Sequence, residues 1–132
     1  MIHKIGLCVV QQNRILLCRK NRDTALLIVP GGKIDPGESD VECLEREIRE
    51  ELGTGVRVGL FLGSYSGAAA GAEHVIVRVD LYSGELTGAP VAQAEIAELV
   101  WFGPEDDFAL LSETLRVSIL PDLIARGVLK KR

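Results

Sequence analysis

An α/β fold is what this sequence predicts, and three observations predict it. Apolar segments rich in Val and Ile, some continuous and some alternating with polar residues, recur at residues 5–10, 15–19, 26–29, 56–62, 74–82 and 99–102, as strands do. Two other segments place apolar residues at helical spacing: Val41, Leu44, Ile48 and Leu52, and then Leu111, Leu115, Ile119 and Leu120. The order is strands, helix, strands, helix, with no internal repeat and no low-complexity linker. A single domain over residues 1–132 accommodates that order.

Residues 5–10 form an unbroken apolar run, which suits a strand covered on both faces. The polar group Gln11, Gln12, Asn13 and Arg14 then reads as a turn into the strand at 15–19, so the simplest arrangement is a hairpin. A charged loop at 20–23 leads to a short strand at 26–29 that stops at Pro30, where a glycine loop begins with Gly31 and Gly32. Ser39 followed three residues later by Glu42 is a capping-box signature, and Gly53 supplies the stop for the helix between them. Val56, Val58, Leu60 and Leu62 alternate as a strand, a flexible small-residue tract follows at 67–72, and another alternating strand runs from 74 to 82. The strand at 99–102 precedes a Pro104-Glu105-Asp106-Asp107 turn and a closing amphipathic helix, bent or broken at Pro121.

Composition narrows the function. With 47% hydrophobic and 26% charged residues, the chain is ordinary globular material. A net charge of −4, with Lys130, Lys131 and Arg132 as the only basic run, gives no field for a nucleic acid polymer. Three cysteines without a C-x-x-C pair read as reduced, buried thiols of a cytoplasmic protein. The apolar run at 5–10 is far too short to span a bilayer, and no targeting segment is recognisable.

The predicted helix raises a sharper question. At about 100° per residue, Glu47, Glu50 and Glu51 share a sector beside the apolar stripe, whereas Glu45 lies about 160° from Glu47. Taken alone, such a face is either solvated and paired with Arg46 and Arg49, or a set of oxygen ligands for a hard divalent cation. The surroundings extend the pattern. Gly32 is followed after five residues by Glu38, and after seven more by Arg46-Glu47-Ile48-Arg49-Glu50-Glu51-Leu52-Gly53.

That arrangement resembles the Nudix box, and every fixed position up to Gly53 is met; Thr54 stands where the family prefers an aliphatic residue, a small packing cost. The resemblance implies the Nudix fold, an α/β/α sandwich with a mixed central sheet. It also implies hydrolysis of a diphosphate linkage in a nucleoside diphosphate joined to a further group, with Mg²⁺ or Mn²⁺ as cofactor. By the same resemblance Glu47, Glu50 and Glu51 are metal ligands, with Glu50 and Glu51 in the catalytic group. Arg46 orients them. Gly31 and Gly32 let the backbone approach a phosphate.

Glu98, three residues before Trp101, looks like the family's downstream acid, which binds metal or activates water; Glu95 is its rival. Arg19 and Lys20 end the second strand where the resemblance places cations near substrate phosphates, although a solvated loop with Arg22 and Asp23 explains them as well. Trp101 reads as core, His3 and His74 as isolated singles, and Cys43 as a small residue under the glycine loop. A small nucleotide, such as a nucleoside triphosphate or its oxidised form, suits a chain with little outside the core fold. A nucleotide-sensing module without turnover is the alternative; such modules keep the fold but commonly lose box carboxylates, and this chain keeps all of them. Isoprenoid diphosphate isomerisation is another, for which no added segment is visible. Homodimers are common in the resembled family, and nothing in the sequence marks an interface.

Overall fold

The computed structural model describes residues 1–21 and 24–132, so the charged loop expected at 20–23 lies partly outside the described residues. Among the described residues there are seven strands: β1 (Ile2–Cys8), β2 (Val10–Gln11), β3 (Arg14–Lys20), β4 (Gly31–Gly32), β5 (Val56–Ala69), β6 (Ala72–Leu86) and β7 (Ile96–Phe102). The main helix, α1, spans Asp40–Leu52; a π-helix at Thr114–Ile119 runs directly into α2 (Leu120–Ala125). The central layer is divided into two sheets, ordered β4-β1-β6-β5 and β2-β3-β7. The first is mixed, because β1 runs parallel to β6 but antiparallel to β4.

The apolar run at 5–10 explains this division. The hairpin turn is where it was expected, with Gln12 and Asn13 at φ 50° and 61°, the left-handed pair that matches the strand twist of a two-residue turn. The ladder with β3 is short, however: Val10 and Gln11 pair with it, and Val9 O accepts from Leu16 N–H. The preceding residues belong to the other sheet, and the chain crosses between sheets at Val9. Burial on both faces made this possible. Ile5, Leu7 and Val9 pack with Leu44, Ile48 and Leu52 of α1, while Cys8 joins the cluster under the C-terminal helix.

Four further expectations change. Residues 26–29 make isolated bridges, Cys18 with Ile28 and Leu27 with Leu111, and no continuous strand. The tract at 67–72 is not a loose linker: β5 continues to Ala69, and Ala72 already begins β6, so the small residues form the tip of a long hairpin. Alternation also fails inside β5, where register shifts on either side of Phe61 put Leu60 (75%) and Phe61 (53%) in solvent. At the C-terminal helix Pro121 causes no break. Pro121 lacks a backbone N–H, and the wide π turns before it, with Leu120 N–H bonded to Leu115 O, place it at the first turn of α2.

α1 covers one face of the central layer and the C-terminal helix the other. Trp101 packs against the α1-side cluster, as expected. His3 is less bland than its isolation suggested: its Nε2 lies 2.7 Å from Asp80, which also accepts from Ser64 and Arg78, so it serves a polar cluster on the sheet. Among the described residues, no helix is long and apolar enough to cross a membrane.

Candidate active site

Local sequence sets the stage for α1. Ser39 accepts from Glu42 N–H while the Glu42 carboxylate accepts from Ser39 N–H, and Gly53 closes the helix at φ 66°. With Leu44, Ile48 and Leu52 fully buried, helical geometry turns Glu47, Glu50 and Glu51 toward a single cavity of about 460 Å³. Lys4, Lys20, Gly32, Lys33 and Glu95 line it with them, and mostly aliphatic residues from the sheet and the C-terminal helix, with Ser112 and Thr114 among them, form its far wall.

The three carboxylates sit in different environments. Glu51 is buried, accepts from Gly31 N–H at 3.0 Å and lies 3.7 Å from Lys20 Nζ. Burial pushes its pKa up, against the opposing pull of Lys4, the Gly31 amide and Lys20. Glu47 accepts from Arg46 Nη1 at 2.8 Å. Glu50 stands at the mouth, its side chain 56% exposed and 3.7 Å from the same guanidinium. Arg46 is the hub of this group: it makes a two-pronged contact with Glu38 at 2.7 and 2.9 Å and donates to Lys33 O at 3.1 Å. The guanidinium holds the Glu38 carboxyl down to about 2, so the box glutamate outside the helix anchors the arginine that positions Glu47.

The glycines have a reason that the sequence did not show. A Cβ on Gly31, at φ 135°, would lie 2.0 Å from Ile5 O, and one on Gly32 would lie 2.4 Å from the Glu47 carboxyl carbon. Gly31 thus permits the pairing of β4 with β1, and Gly32 leaves room for a carboxylate. Cys43 fits beneath them, its thiol donating to Gly32 O and Lys33 O.

The sequence-predicted outer residues divide. Lys20 reaches the cavity, but Arg19 donates to Glu98 at 2.9 Å, and neither Arg19 nor Glu98 lines it. The cause is strand alternation: Arg19, directly opposite Glu98, and Lys20, opposite Ile96 beyond a register irregularity, are neighbours on β3 and face opposite ways. Glu95, in the turn before β7, is the acid that lines the cavity. Spacing from Trp101 pointed to a strand residue, whereas the end of the strand is what turns toward the site. Lys4 and Lys33 are the cavity cations the sequence reading missed; for Lys4 the signal was a lysine in a mostly apolar β1, and for Lys33 its place directly after Gly32.

Among the described residues, no three His, Cys, Asp or Glu side chains converge closely enough to form a ready-made cation cage. The donor chemistry nevertheless fits Mg²⁺ or Mn²⁺. Glu47, Glu50 and Glu51 offer hard oxygen ligands on one cavity, and such ions complete their shells with water and substrate phosphate oxygens.

The family model for the NUDIX domain matches residues 3–121. The chain belongs to the Nudix hydrolase family. It is 34% identical over 98 residues to a putative 8-oxo-dGTP diphosphatase of Bacillus subtilis, a match covering 73% of this chain and 62% of that relative. It is also 28% identical over 109 residues to the CTP pyrophosphohydrolase of Escherichia coli, covering 80% and 78% of the two. A MutT NUDIX hydrolase from Burkholderia pseudomallei superposes with a TM-score of 0.76 at 25% identity, covering 90% of this chain and 95% of that one. The expected α/β/α Nudix fold is therefore present, and this is an enzyme family of pyrophosphohydrolases that generally uses a divalent metal.

Proposed function

We propose that this Nudix hydrolase cleaves the diphosphate linkage of a small nucleoside triphosphate, oxidised nucleotides included, with Mg²⁺ or Mn²⁺ as cofactor. The observation that carries the reading is the polarity of the cavity: box carboxylates and lysines at one end, an aliphatic wall at the other. Glu47, Glu50 and Glu51 would hold the metal, which when bound neutralises phosphate charge and activates water. Arg46 keeps Glu47 in place from outside the cavity floor. Lys20 and Lys33 attract the phosphates, and the aliphatic wall holds the nucleoside and excludes water. Glu95 takes the outer acid role that the sequence assigned to Glu98, because Glu95 shares the cavity with the box. Residues 1–132 act as one catalytic unit in this reading, in the cytoplasm, where three free buried thiols are at home. The names of the Bacillus subtilis and Escherichia coli relatives, an 8-oxo-dGTP diphosphatase and a CTP pyrophosphohydrolase, support the nucleotide class.

The test is a panel of canonical and oxidised nucleoside triphosphates with Mg²⁺ or Mn²⁺, read by pyrophosphate release and by nucleoside monophosphate formation. Turnover abolished by chelation and restored by metal is the expected result. No turnover of any nucleotide with either metal, in protein that still binds nucleotides, would move the assignment to a sensing module.

A further inference from the structure

Lys4 is the cation of the cavity for which the proposed chemistry has no use. It lies in β1 opposite Val79 of β6, and its Nζ donates to Val29 O at 2.9 Å. Val29 and Val79 both line the cavity, and on the same face of β1 Gly6 leaves room for them: a Cβ there would come within 2.8 Å of each. On the other side of β1, Gly32 of β4 stands opposite Ile5, next to Glu47. Lys4 therefore sits where the acidic end of the cavity meets the aliphatic wall. Lys20 and Lys33 already serve the acidic end.

The ammonium lines the cavity with donors to spare. It carries three donors, and among the described residues only Val29 O accepts from it. Glu51 and Glu47 attract it through space, yet neither forms an ion pair with it within 4.0 Å. Desolvation is the main influence on this group and lowers its pKa. A ligand oxygen would supply a further acceptor.

We propose that Lys4 is a substrate-binding residue that donates to an oxygen on the nucleoside side of the substrate, either of the phosphate attached to the nucleoside or of a carbonyl on the base edge. This rests on the nucleotide-hydrolase reading above. A substrate with its diphosphate at the box carboxylates and its nucleoside against Val77, Leu115 and Ile119 passes Lys4 at the link between the two. Pyrophosphate alone stays at the acidic end and does not reach it.

Lys4→Met and Lys4→Arg test this at saturating Mg²⁺, with steady-state kinetics on uridine, cytidine, adenosine and guanosine triphosphates. Calorimetry then measures binding of the corresponding monophosphates and of pyrophosphate, with circular dichroism as the control for folding. Lys4→Met is expected to raise KM by about 10-fold or more with kcat within about 3-fold of wild type. Monophosphate binding weakens in parallel, pyrophosphate binding is unchanged, and Lys4→Arg recovers part of the loss. An equal loss for all four bases identifies the phosphate oxygen; a loss concentrated in uracil and guanine and least in adenine identifies the base carbonyl. Unchanged KM and monophosphate affinity in folded Lys4→Met, or equal weakening of monophosphate and pyrophosphate, would overturn the proposal and leave Lys4 as charge compensation for Glu51. Wild-type protein that neither hydrolyses nor binds any nucleotide would overturn the hydrolase reading and this role together.

Discussion

Glu51 and Glu45 are six residues apart on α1 and meet opposite fates: one is buried in the cavity and the other is exposed on the far side. Replacing Glu50 or Glu51 by Gln preserves size and removes the anion, so turnover should fall by about 10²-fold or more, roughly 3 kcal/mol of transition-state stabilisation. Glu45→Gln should be nearly silent; equal losses in Glu45→Gln and Glu51→Gln at matched Mg²⁺ would sink the helix-face argument. Glu38 makes a prediction about acid. Its folded pKa, about 2, lies below its ordinary 4.5, so folding favours the charged form. That contribution is complete above 4.5 and disappears as pH falls toward 2. Melting curves should therefore show wild type losing stability more steeply than Glu38→Gln across that interval. Burial pushes the thiols of Cys8 and Cys18 up to about 12 and about 11, which removes the thiolate at neutral pH. Mass spectrometry should find them resistant to alkylation in the native protein and fully modified on unfolding.

At the scale of elements, β4 is two residues long, yet it connects the sheet to the carboxylate-bearing helix α1. Its glycines separate stability from activity. In Gly31→Ala the new methyl meets backbone, Ile5 O, at a positive φ, and we expect β4 to leave β1 at a cost of about 3 kcal/mol in denaturant unfolding. In Gly32→Ala it meets the mobile end of Glu47, so the protein should fold and lose about 10-fold or more in kcat instead. Similar unfolding midpoints for the two variants would show that β4 does not work in this way. Gly32 was legible in the sequence as the first residue of the box and Gly31 as its neighbour in the glycine loop; their contacts were not, because a residue pattern does not say which strand lies across from a turn.

For the molecule as a whole, the cavity is where the two sheets, α1 and the C-terminal helix converge, and it gathers buried and half-buried charge of both signs. A cation that binds the folded protein and not the unfolded chain stabilises it by about 2.7 kcal/mol at roughly 100 times its Kd. Thermal denaturation should therefore shift upward with Mn²⁺ or Mg²⁺ in wild type, and hardly at all in Glu51→Gln. An equal shift in both would place the cation elsewhere.

The helix and its carboxylates were readable without coordinates because their causes are local: a capping box, a 3.6-residue apolar stripe, a terminal glycine and a fixed motif spacing. The same is true of the turn at Gln12 and Asn13. Pairing partners are not local. The run at 5–10 reads identically whether it stays in one sheet or crosses between two, since both alternatives bury the same side chains. Only the assembled sheets decided that β1 pairs with β6, that Arg19 turns to Glu98 while Lys20 turns to Glu51, and that Glu95 rather than Glu98 borders the cavity. The chemistry of this enzyme is written in short-range spacing. The outer wall of its site depends on which strands pair and in what register, and spacing along the chain does not state either.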